Sequence, residues 1–95
     1  MSDSYTIAIP ERFDFSQHKS FTEQSNRLIQ DEQIKTVILD FSRTSYLDSS
    51  ALGMLVLMKK KAKAKSIHII IRGAKDNAKD ILLIANFKKI FEIQD

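Results

Sequence analysis

The stretch from Thr36 to Met58, TVILDFSRTSYLDSSALGMLVLM, passes from an apolar run through a short polar loop into a second apolar segment of helical period. Val37, Ile38 and Leu39 form the continuous run expected of a central strand covered on both faces. Asp40 to Leu47 breaks that run with short polar side chains. Asp48, Ser49 and Ser50 then stand where a helix should open, because Leu52, Leu55, Val56 and Met58 follow at helical spacing. A serine at a helix start lies close to unpaired backbone N–H groups and to the positive end of the helix dipole. The groups that cap with a hydroxyl can also receive an anion, so such a site tolerates a phosphate and reads as a switch.

Working outward, Tyr5, Ile7 and Ile9 alternate with Thr6 and Ala8, which predicts a half-buried first strand stopped at Pro10. Phe13 and Phe15 flank Asp14 in a short second strand. Ser16 is placed to cap a helix running to about Gln30, with Phe21, Leu28 and Ile29 on its apolar face. Beyond the serine helix, Ile67 to Ile71 reads as a strand and Gly73 to Asp76 as a turn. Ala78 to Ala85 reads as a helix with Ile81, Leu82 and Ile84 inward, and Phe87, Ile90, Phe91 and Ile93 close the chain.

Alternating strands and helices predict an α/β fold with parallel neighbours joined by crossovers. The first two strands stand too close for a crossover and are expected to pair as an N-terminal hairpin, giving a mixed sheet with helices packed mainly against it. The expected core is Ile7, Ile9, Phe13, Phe21, Val37, Leu39, Leu52, Leu55, Val56, Ile69, Ile71, Leu82 and Phe91. With 95 residues, no linker and no internal repeat, residues 1–95 are expected to form one domain.

Asp40-x-Ser42 ahead of Leu47-Asp48-Ser49-Ser50-x-Leu52-Gly53 resembles the motif of the STAS domain of bacterial anti-sigma-factor antagonists. The likeness runs along nearly the whole chain. Arg12-Phe13-Asp14 and the helix after it resemble the family's second strand and first helix. LLIANFKKIFEI, from Leu82 to Ile93, resembles its last helix, the following turn and its closing segment. One position departs from the pattern: Ala51 stands where glycine is usual. Alanine forms helix better by about 1 kcal/mol.

The resemblance implies a binding switch without a cofactor of its own. The unmodified form would dock on an anti-sigma factor or similar serine-kinase regulator, through Asp14, Asp48, Ser49, Ser50, Leu52 and Gly53. That kinase uses ATP and magnesium, and phosphorylation of Ser49 would release it until a serine phosphatase reverses the mark. A monomer that forms heteromeric complexes fits this role. Local chemistry alone favours a plain helix cap for Ser49; the resemblance reverses that preference. Two alternatives stay open: an unphosphorylated STAS subunit of a transporter-associated or signalling complex, and a module binding a small anionic ligand or nucleotide at the serine helix start.

Composition and charge narrow the rest. The chain has no cysteine, which excludes disulfides, thiol catalysis and cysteine metal sites. The apolar run Ala51 to Met58 is far shorter than the roughly 20 residues of a membrane span, so no membrane insertion is expected. The opening Met1-Ser2-Asp3-Ser4 has neither the basic start nor the apolar centre of a leader, and a cytoplasmic protein is the simplest reading. Five of the eleven lysines fall between Lys59 and Lys65, where they complement the negative end of a helix. No aromatic side chains interleave with them, so a stacking platform for single strands is lacking, and a direct nucleic-acid role ranks behind the other readings.

Catalysis finds little support. His18 and His68 are the only histidines, and neither sits in a motif that would bring it to Ser49 as a base. Asp40 with Asp48 is a thin case for a metal and reads better as a loop brace and a helix cap. Gly53 and Gly73 are the only glycines, so a glycine-rich phosphate loop is excluded. The expected function is binding, not enzymatic turnover.

Overall fold

A computed structural model describes residues 3–94; Met1 and Ser2, on which the leader reading partly rests, and Asp95 lie outside the described residues. The elements run β1 (Ser4–Ala8), β2 (Arg12–Phe13), a 3-10 turn (Phe15–Gln17), α1 (His18–Gln30), β3 (Thr36–Asp40) and β4 (Tyr46–Leu47). They continue with α2 (Ser49–Ala64), β5 (His68–Arg72), α3 (Asp76–Ile84), a second 3-10 turn (Phe87–Lys89) and β6 (Glu92–Gln94). The α/β expectation holds: the main sheet has the order β1-β3-β5-β6, and all its pairs are parallel.

The expected N-terminal hairpin does not form, and the sheet is parallel where a mixed one was expected. β1 pairs in parallel with β3, from Ser4 beside Thr36 to Ala8 beside Asp40. β2 pairs in parallel with β4 in a separate two-stranded sheet, Arg12 beside Tyr46 and Phe13 beside Leu47. Pro10 has no N–H to continue a ladder. After it, the Glu11 carbonyl turns to the Ser45 amide at 2.9 Å. The continuations of β1 and β3 therefore leave the main sheet together and pair with each other.

Register sorts the strand side chains into two faces. Ile7, Leu39 and Ile71 lie in one row and Val37 and Ile69 in the next, all of them buried. Their neighbours Thr6, Ile38, Ile70 and Glu92 face the other way and are exposed or half-buried. The central strand is thus covered on one face, not two as its apolar run suggests. Each new strand is added on the same side of the last, and right-handed crossovers then return every helix to the same face.

Phe13 is fully buried and packs edge-on against Phe21, at 5.1 Å between ring centres, and Phe41, at 6.4 Å. The inward stripe of α2 is Ala51, Met54, Leu55, Met58 and Ala62; the expected core residues Leu52 and Val56 are only half-buried on its flanks. In α3, Ala78 and Leu82 point inward, one turn apart. Ile84, expected inward, is 82% exposed because two residues past Leu82 is about 200° around a helix. Gly73 has φ +79°, and a side chain there would meet Ser42 backbone atoms at 3.3 Å, so glycine is required where the loops after β3 and β5 meet.

Candidate partner-binding site

The site is built where β2 and β4 run out together. Asp48 follows β4 with an extended backbone and caps α2: its Oδ1 accepts a hydrogen bond from the Ala51 amide at 2.8 Å. Its second oxygen, Oδ2, accepts from the Phe15 amide at 3.2 Å, while its own N–H donates to the Phe13 carbonyl at 3.3 Å. These two bonds bracket Asp14, fixing the loop that carries it beside the start of α2. Asp48 therefore caps α2, as expected, and also braces the loop that carries Asp14.

Asp14 has its own local role. It caps the 3-10 turn by accepting from the Ser16 amide at 3.0 Å, and the Ser16 hydroxyl donates to the same oxygen. Ser16, expected as the cap of α1, is thus the capped residue and sits inside the turn. The Ser16 hydroxyl lowers the Asp14 pKa below the ordinary carboxylate value, with the Arg12 guanidinium, 3.5 Å away, adding to the effect. Arg12 also lies over the Tyr46 ring, 4.6 Å from its centre.

With Asp48 capping, the serine side chains are left to other uses. Ser49 is the first residue of α2 and is exposed; Ser50 is half-buried. Among the described residues no hydrogen bond engages the Ser49 hydroxyl. The first N–H groups of any helix lack intrahelical acceptors, and those of Ser49 and Ser50 occupy that position here. Ala51, in the usual glycine position, is wholly buried, so its methyl group faces the core and not a docking surface. Two residues on, Gly53 is exposed, and a Cβ added there would meet nothing within 4 Å. Leu52 lies half-buried between them. Asp14, Asp48, Ser49, Ser50, Leu52 and Gly53 therefore share one end of the molecule, around the start of α2.

Phe15 belongs to the same surface, although its sequence position suggested a strand partner for Phe13. It is 66% exposed and stacks on His18 at 5.5 Å between ring centres. Strand alternation would have buried both phenylalanines on one face. The Asp14 cap ends β2 at Phe13 and rotates Phe15 outward.

Other candidate chemistry disperses. Asp40 braces its loop by accepting from the Ser42 amide at 2.9 Å, which lowers its pKa. His68 is exposed on β5 and bonds Glu92 at 2.7 Å. Among the described residues no three histidine or carboxylate groups gather to hold a metal, and no helix is long and apolar enough to cross a membrane. Lys61 bonds Asn26 on α1 at 3.0 Å, and Lys59 lies 5.9 Å from the centre of the Phe91 ring. The lysine run is thus partly held down along the flanks of α2.

The STAS domain family model matches residues 2–95. The chain belongs to the STAS family. A STAS-domain containing protein of Pseudomonas aeruginosa (strain UCBPP-PA14) is 35% identical over 88 residues, covering 93% of this chain and 85% of that protein. The anti-sigma factor antagonist SpoIIAA in its unphosphorylated form shares the fold with a TM-score of 0.78 at 17% identity, over 100% of this chain and 83% of its own. The phosphorylated form of SpoIIAA from Bacillus gives 0.74 at 15% identity, over 97% and 84%. A sulfate transporter family protein from Wolinella succinogenes gives 0.85 at 16% identity, over 98% of this chain and 77% of its own. At such identities the structural likeness speaks for the STAS fold, which two kinds of protein share.

Proposed function

We propose that this STAS protein is an anti-sigma-factor antagonist acting as a phosphorylation-controlled binding switch. Its unmodified Ser49 surface docks on an anti-sigma factor or similar serine-kinase regulator. Phosphorylation of Ser49 releases that partner, and a serine phosphatase restores binding. The observation that carries this reading is the division of labour at the start of α2: Asp48 makes the cap, leaving the exposed Ser49 hydroxyl without a structural task. The existence of a STAS relative, SpoIIAA, in unphosphorylated and phosphorylated forms supports it.

The mechanism follows from charge. A phosphate adds about −1.5 to −2 charges at neutral pH. Within the monomer, the N–H groups and dipole of α2 can hold that charge with little refolding. In a complex it would be desolvated beside Asp48 and close to Asp14, at a cost of several kcal/mol without a basic partner. A penalty of about 3 kcal/mol weakens binding more than a hundredfold. No catalytic step by this chain is involved.

Incubation of the purified protein with host extract and radiolabelled ATP tests the acceptor assignment. Label should enter the wild type and be absent from Ser49→Ala. Equal labelling of Ser49→Ala, on Ser50 or Ser42, would remove Ser49 from the mechanism. The likeness to the Wolinella sulfate transporter family protein favours a second reading, a constitutive subunit of a transporter-associated complex. In that case Ser49→Asp would bind its partner as well as wild type does.

A further inference from the structure

The edge of β1 has features of its own. β1 ends the order β1-β3-β5-β6, so among the described residues β3 is its one strand neighbour. The Asp3 carbonyl accepts from the Lys35 amide at 2.7 Å, and the Ile9 amide donates to Asp40 at 2.9 Å. Asp3 and Ile9 therefore turn their backbone groups toward β3, as do Tyr5 and Ile7 between them. Strand alternation then directs the N–H and C=O groups of Thr6 and Ala8 outward. Natural edges are commonly protected by a lysine, an inward charge, a proline or a bulge. SYTIA has no charged residue and no proline, and its register with β3 runs unbroken over all five residues.

A groove runs beside this edge, between β1 and α1. One cavity of about 600 Å³ is lined by Tyr5, Leu28, Ser20 and the charged Lys19, Glu23 and Arg27 of α1, and a second of about 180 Å³ by Ile7, Ala8 and Ser20 among others. Ser20 borders both, so the groove follows β1 for its length. Tyr5 is 45% exposed at its margin.

We propose that this edge is a self-association surface: β1 pairs antiparallel with β1 of a second copy about a two-fold axis at Thr6. Two four-stranded sheets would then join across the edge as one. The sequence fits itself in that register. Thr6 faces Thr6 of the second copy as a pair exchanging two backbone hydrogen bonds, because its polar groups point outward. Tyr5 faces the second copy's Ile7, and Ile7 its Tyr5, at the narrow positions where cross-strand side chains come closest. Threonine–threonine and aromatic–β-branched pairs are among the favourable cross-strand pairs, and no like charges oppose each other. Tyr5 and Ile7 lie on the helix-side face, so each Tyr5 enters the groove of the other copy. The contact is isologous and closes at two copies. The paired strand contains no residue of the Ser49 surface, and the proposal stands independently of the phosphorylation reading.

Sedimentation equilibrium of the full chain over about a hundredfold range of concentration tests the proposal. Wild type should pass from monomer to dimer, and Thr6→Lys, which sets two cations opposite each other, should raise the dissociation constant at least about tenfold. Amide hydrogen exchange of the wild type provides the check that does not depend on the variant's folding. The Thr6 amide should gain protection as concentration rises, while the Ile7 amide, already bonded to β3, should not change. A protein that stays monomeric throughout would overturn the proposal. So would a dimer whose Thr6 amide remains labile, because association would then use another face.

Discussion

Asp48 is the side chain on which the site turns. One oxygen caps α2 through Ala51 and the other holds the Phe15 amide, so its loss removes two hydrogen bonds at once. Asp48→Ala should cost about 1–2 kcal/mol, the usual range for a lost helix cap. Ser49→Ala should change stability by less than about 0.5 kcal/mol, as for a surface substitution that breaks nothing. Urea denaturation of the two variants checks the contrast; equal losses would show that Ser49 has a structural task after all. Ala51 makes a second test, because its methyl group is wholly buried. Ala51→Gly, which restores the usual residue of the motif, should lower stability by about 1 kcal/mol or more through helix propensity and lost packing. Its binding behaviour should be unaffected, since the methyl group does not reach the surface. The roles of Asp48 and Ser49 were legible in the sequence as a set but not one by one. Aspartate and serine both cap well, and the extended backbone of Asp48 decides between them.

At the scale of elements, α2 shows how a single helix serves the core and the surface together. Met54, Leu55, Met58 and Ala62 face inward, whereas Gly53 and Leu57 face solvent. Leu55→Ala should cost about 2–5 kcal/mol, and Leu57→Ala, on a side chain 47% exposed, less than about 1. Thermal melts of the pair would separate them, and similar losses would mean that the inward stripe has been misplaced. Helical periodicity made the existence of α2 readable in advance but not its inward stripe, because Met54 to Met58 are consecutive apolar residues, and Leu52 and Val56 ended on the flanks. The same reading failed for Ile84, where Ile81, Leu82, Leu83 and Ile84 are consecutive and any of them could face the core. The N-terminal hairpin failed for a different reason. Short sequence spacing permits a hairpin, but the choice of partner for β2 was settled by β4, more than thirty residues away. Phe15 was misplaced because strand alternation was carried one residue past the Asp14 cap.

Three hydrogen-bonded carboxylates predict an acid limb in the stability of the whole molecule. The Ser16 hydroxyl lowers the Asp14 pKa, the Ser42 amide that of Asp40, and the bond from His68 that of Glu92. A carboxyl group with a depressed folded pKa stabilises the fold above its unfolded pKa and loses that contribution as pH falls through the folded value. The melting temperature should therefore hold near neutrality and decline below about pH 4, where free carboxylates titrate. Asp40→Asn should flatten that acid limb, and an unchanged limb would show that the Ser42 bond is not formed in solution. The two proposals concern separate parts of the chain, the start of α2 and the outer edge of β1. The phosphorylation reading concerns only the first. Its most direct test is affinity capture from the native host with wild type, Ser49→Ala and Ser49→Asp, read by quantitative mass spectrometry. The account predicts phosphate on Ser49 of the wild type, a serine-kinase-like regulator retained by Ser49→Ala, and its loss by more than about a hundredfold with Ser49→Asp. Capture of the same partners by all three forms, with Ser49 never modified, would contradict it and leave a constitutive STAS interaction module.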